Sequence, residues 1–174
     1  TMQRRGLDYE SLKALKPNLI YCSITGYGQN GPKAGDAAYD GAIQASSGMM
    51  SQNGHPETGP TRTGYMPVDM STALNSAFAI SAALYRKATT GEGQHIDLSM
   101  LDAGLFFIFP DGFQNHTLLD DDVPPQPLLI DILYELTITK DGAVTISAGT
   151  AEQQMRSLIA MGMEHLLADE RFDD

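Results

Sequence analysis

The chain has 174 residues, 42% hydrophobic and 19% charged, with 22 acidic against 11 basic side chains and a net charge of −11. That composition suits one globular domain, or one and part of another, and its acidity excludes the basic footprint that nucleic acid requires. No apolar run reaches the ~18 residues that span a bilayer, so no membrane partner is expected, and the single cysteine, Cys22, excludes an internal disulfide and fits a reducing compartment, with a cytoplasmic location expected.

The charge is lopsided. Residues 1–110 hold 8 Lys+Arg against 9 Asp+Glu, and residues 111–174 hold 3 against 13. An anionic ligand must therefore be held locally, by Arg4, Arg5, Lys13, Lys16, Lys33 or Arg62, or by helix N-termini. The opening run, TMQRRGLDYESLK, is polar and has no apolar signal-peptide core.

Residues 8–15 predict a short helix with Asp8 as its N-cap, ended by Pro17. NLIYCSI at 18–24 reads as a buried strand, which makes Cys22 a packed thiol. TGYGQNGP at 25–32 is a glycine-rich turn. It lacks both the GxGxxG spacing and a GK[ST] ending, so it is neither a dinucleotide fingerprint nor a P-loop. Tyr39 to Ser47 predicts a second helix, closed by Gly48, and 51–63 a polar loop.

Gly64 to Ser99 organises the rest. Pro67 punctuates its start. Met70, Ala73, Leu74, Ala77, Phe78, Leu84 and Tyr85 fall near the helical period. Ala, Ser and Thr fill much of the remainder, so another backbone can approach closely. Lys87 and Thr-Thr-Gly at 89–91 end the helix, and 94–98 reads as a strand. Asp69 stands at the helix start, where free N–H groups and the positive dipole end meet. An N-cap explains such an aspartate, and a catalytic carboxylate is the other reading of it.

Met100 to Phe109 predicts an apolar helix ended by Pro110. The acidic, proline-rich HTLLDDDVPPQP then suggests a linker. Tyr134–Thr139 and Ala143–Ala148 flank Asp141-Gly142, a hairpin signal, and helices follow at 151–161 and 164–168. The fold class is α/β: a large-domain portion over 1–115, a linker over 116–130, and the beginning of a small α+β domain over 131–174. His55, His95, His116 and His165 are scattered without HxxxH or CxxC pairing, so no metal site is expected. No G-x-S-x-G elbow is present. Asp120 to Asp122 lacks calcium-loop spacing.

In order, LKPNLIYCSITGYGQNGP, YDGAIQASSG, GPTRTGYMPVDMSTA and ALYRKATTGEGQHIDLSMLDA resemble the class III coenzyme A transferases, continuously to about residue 107. The resemblance implies that coenzyme A moves between an acyl-CoA and a carboxylic acid, with Asp69 as nucleophile and no metal. It implies that Arg4 contacts CoA, that Tyr39 and Gln44 belong to the substrate or CoA site, and that two ring-like subunits interlock as a homodimer. A racemase branch of the same fold carries histidine at the position of Tyr39. Tyrosine, with an unperturbed pKa of ~10, is a poor proton carrier near neutral pH, which favours transfer over racemisation. The alternatives are an acyl-CoA racemase or epimerase, and a non-catalytic CoA-binding fragment. Members of the family are longer, so these 174 residues alone are expected to expose apolar faces on LIYCSI and MLDAGLFFIF and to lack exchange.

Overall fold

A computed structural model describes all residues except 1, 55, 56, 110, 114, 116, 118, 119, 121, 125–135 and 170–174. The chain divides into two compact units, Thr1–Gly112 and Phe113–Asp174.

The first unit opens with a 3₁₀ turn at Gln3–Arg5 and helix α1, Tyr9–Leu15. Asp8 caps α1, accepting from the Ser11 N–H (3.1 Å) and the Ser11 hydroxyl (2.7 Å). The Ser11 hydroxyl first, then its N–H, holds the Asp8 carboxyl below its ordinary value. The folded value is depressed, so the cap contributes fully above the unfolded value of 3.8 and is lost as pH falls through the lower folded one. Amide exchange at Ser11 should therefore accelerate on acidification below that range, and Asp8→Ala should remove the acid-dependent step. Exchange at Ser11 that ignores pH after correction for its intrinsic rate would contradict the cap.

Strand β1, Ile20–Thr25, and strand β2, Gln94–Ser99, pair in parallel, with Ile20 opposite Gln94 and Thr25 opposite Ser99. Parallel strands need a crossover. Here it comprises α2 (Asp40–Ser46), α3 (Met49–Gln52) and α4 (Pro67–Thr90). Helix α5, Met100–Ile108, follows β2 directly, and the Ser99 hydroxyl caps it by accepting from the Asp102 N–H. Helix α3 lies where the sequence reading begins its polar loop. Gly48 at φ 82° supplies the left-handed turn between α2 and α3.

The core joins Ile43 of α2, Met49 of α3 and Val68 of α4, with Tyr27, Ala38, Met100, Leu101 and Ile108 packed around them. Gly104 of α5 permits this approach. A Cβ there would already touch Ile43 Cγ2 (3.4 Å) and Val68 Cγ2 (3.5 Å).

Helix α4 buries Pro67, Val68, Ser71, Thr72, Ser76 and Ala83. The hydroxyls on that face donate back into the helix: Ser71 to Val68 O (3.0 Å), Thr72 to Val68 O (2.7 Å), Ser76 to Thr72 O (2.7 Å). Each polar group is thus satisfied without a partner on a neighbouring element, and small side chains let α5 and the sheet come close. The large apolar residues face outward. Leu74 is 70% exposed and Phe78 83%, with Met70, Leu84 and Tyr85 beside them. On α5, Phe106 and Phe107 are exposed, as is Phe109 just beyond it. Of LIYCSI, Ile24 is exposed and the rest is half-buried.

In the second unit, β3 (Leu136–Ile138) and β4 (Ala143–Thr145) form an antiparallel hairpin closed by the Thr139 N–H donating to Gly142 O (2.8 Å). Both strands are shorter than the sequence reading, since Ile146 to Ala148 continue without pairing; positions 134 and 135 lie outside the described residues, as does much of the linker at 116–130. Helix α6, Ala151–Ala160, starts with a capping box between Thr150 and Gln153. A 3₁₀ turn follows at Glu164–Ala168.

Candidate active site

Val68 belongs to the core cluster against which Met100 and Leu101, the residues that leave β2, are packed. The start of α4 therefore lies at the carboxyl end of the parallel strands, the end at which α/β folds bind ligands. The glycine-rich turn after β1 comes to the same place: Gly26 O accepts from the Leu101 N–H (3.0 Å).

The sequence reading made Asp69 the candidate cap of this helix and began the apolar stripe at Met70. The structure corrects that. Helix α4 begins at Pro67, and Asp69 is the third residue of its first turn. Met66, at the N-cap, provides no side-chain cap. The cap comes from the other side of the core. Asp40 Oδ2 accepts from both the Val68 N–H (2.9 Å) and the Asp69 N–H (3.0 Å). Pro67 has no N–H, and the Met70 N–H donates to Met66 O (3.1 Å). Every N–H of the first turn is accounted for.

Asp40 is only 7% exposed, and its other oxygen is also engaged: Gln44, one turn on in α2 and 0% exposed, donates Nε2 to Asp40 Oδ1 (2.5 Å). Gln44 Oε1 accepts from the Thr63 N–H (3.1 Å), tying the segment that leads into α4. A carboxylate buried with three N–H donors is a satisfied group, which its burial demands.

The Asp69 side chain stands apart from this network. It is half-buried and, among the described residues, its carboxylate has neither a hydrogen bond nor an ion pair. Tyr65, Met66 and Met70 are exposed around the helix start. Tyr39, at the N-cap position of α2, is 82% exposed and makes no side-chain cap. Arg62 lies along Gly41, where a Cβ would meet its Cδ (3.6 Å) and Nη1 (3.7 Å).

The structure thus brings Asp69 and Gln44 together through Asp40, with Tyr39 next to Asp40 in sequence. Gln44 is enclosed, so it supports the site from behind. Arg4 is exposed in the 3₁₀ turn at Gln3–Arg5, with no hydrogen bond to these residues. Asp40 is the residue the sequence reading missed. Its signal was indirect: Pro67 opens a long helix after Met66, which cannot cap, so an acceptor had to come from elsewhere. Among the described residues no cluster of metal-ligating side chains occurs.

A family model described as CoA-transferase family III matches residues 1–174. The succinate–glutarate CoA-transferase of Agrobacterium fabrum is 39% identical over 98% of this chain and 43% of its own length. The acetyl-CoA:oxalate CoA-transferase of Acetobacter aceti is 44% identical over 62% of this chain and 28% of its own. Among solved structures, a CAIB/BAIF family protein from Brucella suis superposes with a TM-score of 0.77 at 36% identity, over 99% of this chain and 46% of that one. The chain spans less than half the length of these relatives.

Proposed function

The chain belongs to CoA-transferase family III, and on that premise we propose that it carries the nucleophile of an enzyme moving coenzyme A between an acyl-CoA thioester and a free carboxylic acid. Asp69 is that nucleophile. The observation that carries this reading is its half-buried carboxylate, free of hydrogen bonds among the described residues, on a helix start whose backbone is fixed.

The Asp69 carboxylate attacks the thioester carbonyl, the carbon–sulfur bond breaks, and CoA leaves as the thiolate. The product is a mixed anhydride between Asp69 and the donor acyl group. The thiolate attacks the aspartyl carbonyl of that anhydride and the donor acid departs as a carboxylate, leaving aspartyl-CoA. The acceptor carboxylate attacks aspartyl-CoA and expels the thiolate, forming a second anhydride. The thiolate then takes the acceptor acyl group and frees Asp69. One thioester is made for each one broken, so the cycle needs no external energy source. The anhydrides must be shielded from water.

The named relatives support small dicarboxylic acids as the acid partner. Arg62, on the same corner as Asp40 and Gly41, offers a cation for the second carboxylate. A homodimer in the cytoplasm is part of the same proposal. The outward Leu74, Phe78 and Tyr85 of α4 support further burial of this surface in the assembled enzyme.

The test mixes one acyl-CoA with a different free acid and follows the new thioester by chromatography. No exchange by the intact, folded protein would defeat the reading. Tyr39 separates transfer from racemisation. Its phenol is exposed and makes no hydrogen bond among the described residues, so Tyr39→Phe should keep most exchange activity. Deuterium should enter the α-carbon of a branched acyl-CoA slowly, if at all; rapid wash-in by the wild type would move the assignment to the racemase branch.

A further inference from the structure

We propose that Asp40 is a positioning residue for the nucleophile. It takes both free N–H groups at the start of α4, which locks the Asp69 backbone and denies the Asp69 carboxylate the hydrogen bonds that would quench it. The inference rests on Asp69 being the nucleophile.

Asp69 is the acidic residue of the first turn of α4. In an ordinary helix a first-turn carboxylate is drawn to the unpaired N–H groups at the helix start. Such bonds stabilise the anion and lower its reactivity. In this protein the N–H groups of Val68 and Asp69 are already donated to Asp40 Oδ2 at 2.9 and 3.0 Å. With Pro67 lacking an N–H and Met70 bonded to Met66 O, none of the first four helix positions offers a free N–H to the Asp69 side chain.

Asp40 does this only if its carboxylate cannot turn. Gln44 fixes it by donating to Oδ1, and Gln44 is itself oriented because its oxygen accepts from the Thr63 N–H. That donor sets the amide's direction, since a flipped Gln44 would point an NH₂ at the Thr63 N–H. The chain of bonds runs Thr63, Gln44, Asp40, Asp69. It spans three segments, so it also sets the position of α2 relative to the start of α4.

This geometry makes the carboxylate and amide exchangeable as a pair but not singly. In Asp40→Asn one of the two side-chain atoms becomes an NH₂. It must face either Gln44 Nε2 or the helix N–H pair, donor against donor in both cases. In the double variant Asp40→Asn/Gln44→Glu, the new amide's oxygen accepts from the helix N–H pair. Its NH₂ donates to the carboxylate introduced at position 44, which still accepts from Thr63. Tyr65 O, which loses a weak bond from Gln44, keeps its bond from the Thr63 hydroxyl (3.0 Å).

The experiment uses the intact protein. Acyl-CoA is added with hydroxylamine, which converts an activated Asp69 carbonyl to a hydroxamate, and peptide mapping by mass spectrometry gives the single-turnover rate at Asp69. Affinity for acyl-CoA is measured separately. Asp40→Asn should slow trapping by about 100-fold, the scale of an ångström-level misplacement, with acyl-CoA affinity within about 3-fold of wild type. The double variant should recover to within about 10-fold of wild type, because it restores the bonds and moves only the charge. A purely structural Asp40 predicts parallel losses of affinity and rate. Folded Asp40→Asn trapping at the wild-type rate overturns the proposal. So does a folded double variant as slow as the single one, or failure of both to fold. A wild type that forms no hydroxamate at Asp69 instead removes the nucleophile itself, and this inference with it.

Discussion

Asp69→Ala should abolish CoA exchange, by at least about 10³-fold, while leaving the fold in place. The size follows from removing the group proposed to form the covalent intermediates. The retained fold follows from the helix start. Had Asp69 been the cap, its loss would have cost about 0.5–2 kcal/mol. The cap is Asp40, which keeps both of its N–H donors in the variant, because they belong to the backbone. What remains is the attraction of a partly exposed carboxylate to the helix dipole, at most about 0.3–1 kcal/mol. Thermal denaturation beside the exchange assay checks both halves. Substantial exchange by the variant would remove Asp69 from the mechanism, and a large loss of stability would mean the Asp40 cap does not hold alone.

Gly93→Ala should be the most damaging glycine substitution in the first unit. A Cβ at Gly93 would stand 2.1 Å from Leu19 O and 2.4 Å from the carbonyl carbon of Asn18. Both are backbone atoms, so no rotamer relieves the clash. Leu19 O also accepts from the Gln94 N–H (3.0 Å), the bond that brings β2 alongside β1. Separating the two segments breaks that bond where Ile20 faces Gln94 and the parallel pairing begins. The expected loss is about 3 kcal/mol, the upper range for forced overpacking, or a melting temperature lower by about 10 °C for a chain of this size. Gly35→Ala is the control. A Cβ there meets nothing within 4 Å, so its stability should stay within about 0.5 kcal/mol of wild type. Calorimetry on the three proteins decides it; a Gly93→Ala protein as stable as the control would contradict the close approach.

Much of this architecture was legible because its causes are local. The apolar run NLIYCSI, bounded by Pro17 and the glycine turn, specifies β1. Gly91 ends α4 and Pro67 marks the approach to it, and Asp8 announces α1 through Ser11. The proposal of Asp69 as nucleophile came from ordered motifs. Two things were not fully legible. The Asp40 cap reaches a helix 28 positions away, and no spacing rule encodes such a bond. In sequence Asp40 is simply an acid in the first turn of α2. The inward face of α4 was legible only in part: its Ala, Ser and Thr predicted a close approach of another backbone, but not that the apolar stripe would face outward. A stripe of Met, Leu, Phe and Tyr at helical spacing ordinarily marks the core. Here the Ser and Thr hydroxyls satisfy themselves on their own helix, and that face is the one the unit buries.

The parallel pairing of β1 with β2 also bears on synthesis. A ribosome emits residues 20–25 before the whole crossover and β2 at 94–99. At ~5–20 residues per second, roughly 4 to 14 seconds separate the two strands. Helix α4 is built from local bonds and forms within microseconds of emergence. The strand must wait with this edge unpaired, displaying Ile-Tyr-Cys-Ser-Ile to whatever is near. On a crowded polysome the nearest such edge is the same strand of a neighbouring nascent chain. Throughout the interval between the two strands, this edge is open to a chaperone.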